Sequence, residues 1–155
     1  MRWLRISLEE GILSSISEVT KELGKELLTV ILFGSYVYNK QKAKDIDIIV
    51  IVDHLKDIHD KVNAEVEITK KLIRLFKRSL DVLVFDLDTF KENLVVGTVL
   101  TGLVLGYNVL YDKIGVEKLI HNFIEEISKE DEYVLIKKRK YDFARLAKMK
   151  LKRRK

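Results

Sequence analysis

Val30-Ile31-Leu32-Phe33-Gly34-Ser35-Tyr36-Val37-Tyr38-Asn39-Lys40-Gln41-Lys42-Ala43-Lys44-Asp45-Ile46-Asp47-Ile48-Ile49-Val50-Ile51-Val52 is the stretch from which the fold is read. An apolar, β-branched run breaks at Gly34-Ser35, and after a nine-residue spacer a second apolar run opens with Asp45 and Asp47. The pattern predicts strand, small-residue turn, strand. Side chains alternate faces along a strand, so Asp45 and Asp47 point the same way, about 6.5–7 Å apart along the backbone. Two carboxylates so placed can share a divalent cation. Gly34 lets a ligand's oxygens approach the backbone, and Ser35 offers a hydroxyl. If Ser35 opens a short helix through Tyr38, the N–H groups of its first turn suit a phosphate. Phosphates on one side and a cation site on the other describe a nucleoside triphosphate with magnesium.

Around this stretch, 155 residues with 47% apolar content suffice for one compact domain with a real core. The sequence has no cysteine, which excludes disulfides and thiolate metal sites. Arg2, Arg5, Glu9 and Glu10 interrupt the first apolar residues, so no signal peptide is read there and a cytoplasmic protein is expected. The net charge of +5 is unevenly spread: residues 137–155 carry eleven Lys or Arg and one acid, Asp142. The body is therefore acidic and the end basic. A basic end fits contact with RNA or an acidic partner, or else a solvated helix.

Ser7-Leu8-Glu9-Glu10 has the form of a capping box, and Leu8, Ile12, Ile16, Val19 and Leu23 recur at helical spacing, predicting a helix over about 7–25. Leu28–Phe33 and Asp45–Val52 read as strands covered on both faces. Ile58, Val62, Val66, Thr69, Ile73 and Phe76 mark one face of a helix ending near Arg78. Ser79-Leu80 is read as a turn into a third strand, 81–85, which again starts with an acid, Asp81. Asp88 is expected to cap a helix running through the uncharged Leu94–Leu105 stretch. Only about fifteen residues separate Asn93 from Asn108, so a membrane span is rejected. Tyr107–Tyr111 reads as a fourth strand. Further on, Val116, Leu119, Ile120, Phe123 and Ile127 predict an amphipathic helix, and Tyr133, Ile136, Lys140, Phe143 and Leu146 another running into the basic end. His54, His59 and His121 lack ligand-like spacing.

The expected fold class is α/β (α+β), a small mixed sheet of about four strands flanked by helices with a C-terminal helical extension. A domain over residues 1–112 and an extension over 113–155 are expected.

Phe33-Gly34-Ser35, nine residues, then Asp45-Ile46-Asp47 resembles the signature of the DNA polymerase β-like nucleotidyltransferases, in particular the minimal nucleotidyltransferases. The weaker likeness extends over about 28–111, with Val109-Leu110-Tyr111 as the closing strand. The resemblance implies the nucleotidyltransferase fold, and transfer of a nucleoside monophosphate, AMP from ATP, to a hydroxyl. It implies that Asp45, Asp47 and Asp81 are the catalytic acids and hold two Mg²⁺ ions, while Gly34 and Ser35 bind the nucleotide's phosphates. It also implies an acceptor on a helical HEPN-type partner protein, with this chain as the antitoxin of a toxin–antitoxin pair. Tyr38 and Asn39 stand where many members carry Arg and Gly, and Lys44 where many carry Ser. Lys40, Lys42 or Lys44 are read as replacements for the missing charge. The departures carry a competing expectation, a binding module without catalysis whose basic tail contacts RNA or an acidic partner. Either reading leaves room for an oligomer.

Overall fold

A computed structural model describes residues 7–76, 78–129, 133–136 and 139–153. Helix α1 spans Leu8–Glu22. The capping box forms as its sequence predicts: Glu10 N–H donates to Ser7 Oγ, and Ser7 N–H donates back to the Glu10 carboxylate, both at 3.2 Å. Strand β1 (Leu27–Phe33) leads into the one-turn helix α2 (Ser35–Tyr38), and β2 (Asp45–Val52) returns antiparallel to β1. Helix α3 (Ile58–Ile73) then crosses over to β3 (Ser79–Phe85), which pairs parallel with β2. After α4 (Leu87–Asn93) and a 3₁₀ helix (Val99–Val104), β4 (Tyr107–Asp112) pairs antiparallel with β1. The sheet order is β3-β2-β1-β4. This is the mixed four-stranded sheet expected of a nucleotidyltransferase fold.

Each face of the sheet carries its own apolar cluster. Ile46, Ile48, Val50 and Val52 of β2 pack with α1 and α3 through Ile12, Ile16, Ala64, Ile68 and Leu72. Ile49 and Ile51 face the other way, into Phe90, Leu100, Leu103 and the helix α5 (Val116–Ser128). The apolar stripe of α5, including Ile120, Phe123 and Ile127, belongs to the same cluster as the sheet. Asp112 launches α5 by accepting the N–H groups of Ile114 and Val116. The exposed edge of the sheet at β3 is covered by a pair on α3: Val84 N–H donates to Glu65, and the Lys61 ammonium donates to Val84 C=O. A side-chain pair thus satisfies backbone groups that would otherwise template another strand.

Several sequence expectations are corrected. Ser79 and Leu80 are not a turn; they pair with Asp45 and Ile46 as the first residues of β3. The cap of α4 is Asp86, not Asp88, because Thr89 stands three residues after Asp86 and completes a reciprocal box with it. The apolar run 94–105 is not one helix. Gly97 takes a positive φ of 96°, and the Thr98 hydroxyl donates to the carbonyls of Asn93 and Val95, ending α4 before the 3₁₀ helix begins. The helix expected from Tyr133 is instead a hairpin, β5 (Tyr133–Ile136) with β6 (Arg139–Asp142), and only then α6 (Phe143–Arg153). Ala147 of α6 is fully buried, with Leu146 and Leu151 packed on the same cluster as α5. Over residues 145–152 the basic end is thus docked along its apolar side, with Arg145, Lys148 and Lys152 exposed; 137, 138, 154 and 155 lie outside the described residues. Among the described residues no helix is long and apolar enough to cross a membrane.

The last correction concerns α3. Its core side is Ala64, Ile68 and Leu72. The series Ile58, Val62, Val66 and Ile73, read from the sequence as one face of the helix, is exposed, and the helix ends at Ile73 rather than near Arg78. Both series have helical spacing, and periodicity alone does not say which one turns inward.

Candidate active site

The sheet register decides the geometry of the acids. Asp47 is aligned with Asp81 on the parallel β3 and with Phe33 on β1, and Phe33 is aligned with Tyr107 on β4. One row therefore crosses the whole sheet on a single face, in the order Asp81, Asp47, Phe33, Tyr107. Asp45 lies on the same face, two residues before Asp47. Neighbouring strands lie about 4.8 Å apart, so Asp47 has one carboxylate beside it across the ladder and another about 7 Å along its own strand. The acids occupy the strand entrances; two residues further in, on the same face, Ile49 and Leu83 belong to the apolar cluster. Asp45 and Asp47 are half-buried and Asp81 is exposed.

Gly34 ends β1 directly against this row. Its φ of 79° lies in the left-handed region, and a Cβ placed there would sit 2.7 Å from Asp47 Oδ2. Both facts require glycine. Its N–H donates to Gly106 C=O at 2.9 Å, which ties the turn to the start of β4. Ser35 then opens α2, as the sequence reading anticipates, and is exposed. Asn39, which stands where many members carry Gly, has an extended φ of −148° and terminates α2 by donating its N–H to Ser35 C=O.

Two cations near this turn were not singled out from sequence. Arg78, just before β3, donates to Lys40 C=O at 2.9 Å and lies 5.5 Å from the centre of the Tyr36 ring. It fastens the spacer loop to the strand that carries Asp81. Lys40 lies 5.6 Å from the same ring, on a tyrosine buried beneath α2. Lys150 of α6 sits 4.3 Å over the Tyr107 ring and donates to Leu103 C=O. It lines a hollow of about 310 Å³ together with Val37, Tyr38 and Gly106. No spacing rule connects Arg78 or Lys150 to the motif; only the closed sheet and the docked α6 bring them there.

The donor chemistry suits a hard cation. Asp45 and Asp47 lie on one face beside the Gly34 turn, and Mg²⁺ is commonly held by one or two carboxylates plus phosphate oxygens. Among the described residues no group of three or more His, Cys, Asp or Glu side chains is placed to hold a metal ion together. The three acids are aligned by register rather than gathered, as expected of like charges that repel one another.

A four-stranded mixed sheet with a Gly-Ser turn set against an acid-bearing strand defines a nucleotidyltransferase-type protein. The family model described as Polymerase beta, Nucleotidyltransferase matches residues 14–104, more than half of the chain, and the chain belongs to that family. Solved structures similar to it include a mutant of the toxin–antitoxin MntA–HpeT, at 25% identity over 76% of this chain and 86% of that one, with a TM-score of 0.48. Another is a tri-AMPylated Shewanella oneidensis HEPN toxin in complex with MNT antitoxin, at 20% identity over 79% and 88%, with a TM-score of 0.49. A toxin–antitoxin structure with AMP-PNP is 25% identical over 75% and 86%, with a TM-score of 0.47. No curated protein matches this chain.

Proposed function

We propose that this nucleotidyltransferase transfers AMP from ATP to a hydroxyl of a partner protein. The observation that supports it best is the alignment of Asp47 with Asp81 across a parallel strand pair, with Gly34 set directly against Asp47. Asp45 and Asp47 would hold Mg²⁺, with Asp81 beside them. Bound there, the metal ions neutralise the triphosphate and lower the pKa of the attacking hydroxyl.

The protein's own part is positioning and proton transfer. The Ser35 hydroxyl and the first N–H groups of α2 receive phosphate oxygens, and Gly34 keeps their approach open. The acceptor oxygen attacks the α-phosphorus, the bond to the bridging oxygen of the β-phosphate breaks, and pyrophosphate leaves. The proton of the acceptor hydroxyl passes to Asp81. Asp81 is the exposed acid, on the edge strand, so an acceptor carried by another macromolecule can reach it. The residues assigned to this chemistry all fall within 1–112, and the described parts of α5 and α6 pack into the apolar cluster on the acid-bearing face of the sheet.

The acceptor class follows the motif's likeness to minimal nucleotidyltransferases: a hydroxyl, foremost a tyrosine, of a helical HEPN-type protein, with this chain as the antitoxin. The test combines the purified chain, the helical protein of the neighbouring reading frame, Mg²⁺ and each common nucleoside triphosphate separately. Intact mass of the partner should rise by one or more AMP units with ATP. Asp81→Asn should bind ATP with little change yet lose most transfer, a fall in kcat larger than any change in KM. Failure of every nucleotide with a partner that binds would overturn the reading.

A further inference from the structure

The hollow of about 310 Å³ between α2 and α6 adjoins the Gly34 turn. Gly106, in its wall, accepts the Gly34 N–H at 2.9 Å. Gly106 also lets α2 lie against the start of β4, since a Cβ there would stand 3.2 Å from Val37 Cγ1 and 3.6 Å from Tyr38 N. On the other side of the turn, a Cβ at Gly34 would sit 2.7 Å from Asp47 Oδ2. Asp47, Gly34, Gly106 and the hollow therefore follow one another in contact. A triphosphate whose α-phosphate lies at the acids, and whose chain passes Gly34, points its outermost phosphate toward the hollow. Metal ions held by Asp45 and Asp47 stand at the opposite end of that chain, so the outermost phosphate needs a cation from the protein.

The two faces of the sheet decide which cation can serve. Lys40, in the spacer where the sequence places the replacement charge, has its ammonium 5.6 Å from the Tyr36 ring, and the Arg78 guanidinium lies 5.5 Å from the same ring. Tyr36 packs in the cluster of α1 and α3, on the face away from the acids. Lys150 is on the other side. Its ammonium lies 4.3 Å over the Tyr107 ring, and Tyr107 shares the row and face of Asp81, Asp47 and Phe33. Fully buried Ala147, with Leu146 and Leu151 on the same cluster, fixes the turn of α6 that carries Lys150. Lys150 is half-buried in the wall of the hollow and donates to Leu103 C=O at 3.3 Å, whereas Arg145, Lys148 and Lys152 of the same helix are exposed. A lysine carries three rotatable donors on a flexible four-carbon stem, so its head turns to a phosphate without movement of the helix.

We propose that Lys150 is a phosphate-binding residue of this nucleotidyltransferase: its ammonium, reaching into the hollow from α6, holds the outermost phosphate of the nucleoside triphosphate. Tyr38, which stands where many members carry Arg, lines the same hollow, so the C-terminal helix supplies the charge that α2 lacks. This assignment rests on the proposed binding of a triphosphate at the Gly34 turn.

Calorimetric titration of the full chain with Mg-ATP and with Mg-ADP tests it. Lys150→Met should keep the circular dichroism of the parent and bind Mg-ATP about 10–100-fold more weakly, the effect of losing a charge-assisted hydrogen bond. Mg-ADP, which lacks the outermost phosphate, should weaken by no more than about twofold. Lys150→Gln should behave as Lys150→Met does, while Lys150→Arg and the exposed-site control Lys148→Met should bind Mg-ATP as the parent does. Tyr38→Arg added to Lys150→Met should regain most of the lost affinity, because a guanidinium at position 38 serves the same hollow. Unchanged Mg-ATP affinity in Lys150→Met, or equal weakening of ATP and ADP, overturns the proposal and leaves the triphosphate site in place. A larger loss in Lys40→Met than in Lys150→Met also overturns it, and assigns the charge to the spacer. A parent that binds neither nucleotide overturns the triphosphate site and this assignment together.

Discussion

Strand β2 has two faces with opposite duties. Ile46, Ile48, Val50 and Val52 are at most 2% exposed and meet α1 and α3 along the entire strand. The other face begins with Asp45 and Asp47 and becomes apolar only at Ile49 and Ile51. The difference lies in what covers them. On the first face a pair of helices spans the sheet from end to end. On the second, the 3₁₀ helix, α5 and α6 cover the far part, while the strand entrances carry the acids beside the Gly34 turn. Ionised carboxylates are tolerated in a strand only where water or a cation can reach them.

The comparison breaks most visibly at the acids. Asp45→Asn with Asp47→Asn should remove Mg-ATP binding and cost transfer on the order of a thousandfold, about 4 kcal/mol of charge stabilisation. The melting temperature should hold or rise, because neutralising aligned carboxylates relieves repulsion. Calorimetric titration with Mg-ATP and thermal denaturation check both halves; a large loss of stability would make these acids structural. On the opposite face Ile48→Ala should do the reverse, destabilising by about 2–5 kcal/mol while the folded protein keeps its affinity for Mg-ATP. Urea unfolding with titration of the folded variant separates the two.

Gly34→Ala tests the boundary between the faces. A left-handed residue with a Cβ costs about 1–2 kcal/mol, and the new methyl must displace the Asp47 carboxylate. A moderate loss of stability should accompany a much larger loss of transfer. If activity survives, Asp47 is free to move and the close approach is unimportant.

The smallest effect concerns a pair remote from the site. Lys25 donates to Asp60 at 2.7 Å, and this hydrogen bond, then that from Lys56 N–H, holds the Asp60 carboxyl below its ordinary 3.8. A depressed acid contributes stability that is complete above its unfolded value and is lost as pH falls through the lower folded one. The melting temperature should therefore fall below about pH 4, and Lys25→Met should shrink that part of the decline. A slope unchanged in Lys25→Met would assign the acid sensitivity to other carboxylates.

The local signals were fully present in the chain. The Ser7–Glu10 box, the Gly34-Ser35 break, the short helix through Tyr38 and the bounds of β2 follow from backbone conformation and nearest-neighbour chemistry, which a sequence carries directly. The common face of Asp45 and Asp47 is likewise a property of any strand.

Other features waited for tertiary contacts. Asp81 was legible as an acid at a strand entrance, but its place beside Asp47 needed the parallel register with Ser79 opposite Asp45. Which stripe of α3 turns inward depended on the sheet beneath it, since Ile58-Val62-Val66 and Ala64-Ile68-Leu72 both satisfy helical spacing. The break at Gly97 and the hairpin before α6 overrode apolar periodicity in the same way. Lys150 reached the Tyr107 ring and the hollow beside Val37, Tyr38 and Gly106 only because Ala147, Leu146 and Leu151 dock α6 on the core. Sequence determines what a segment is able to form locally; which alternatives are used, and which distant side chains meet, is set by the burial that only the assembled sheet provides.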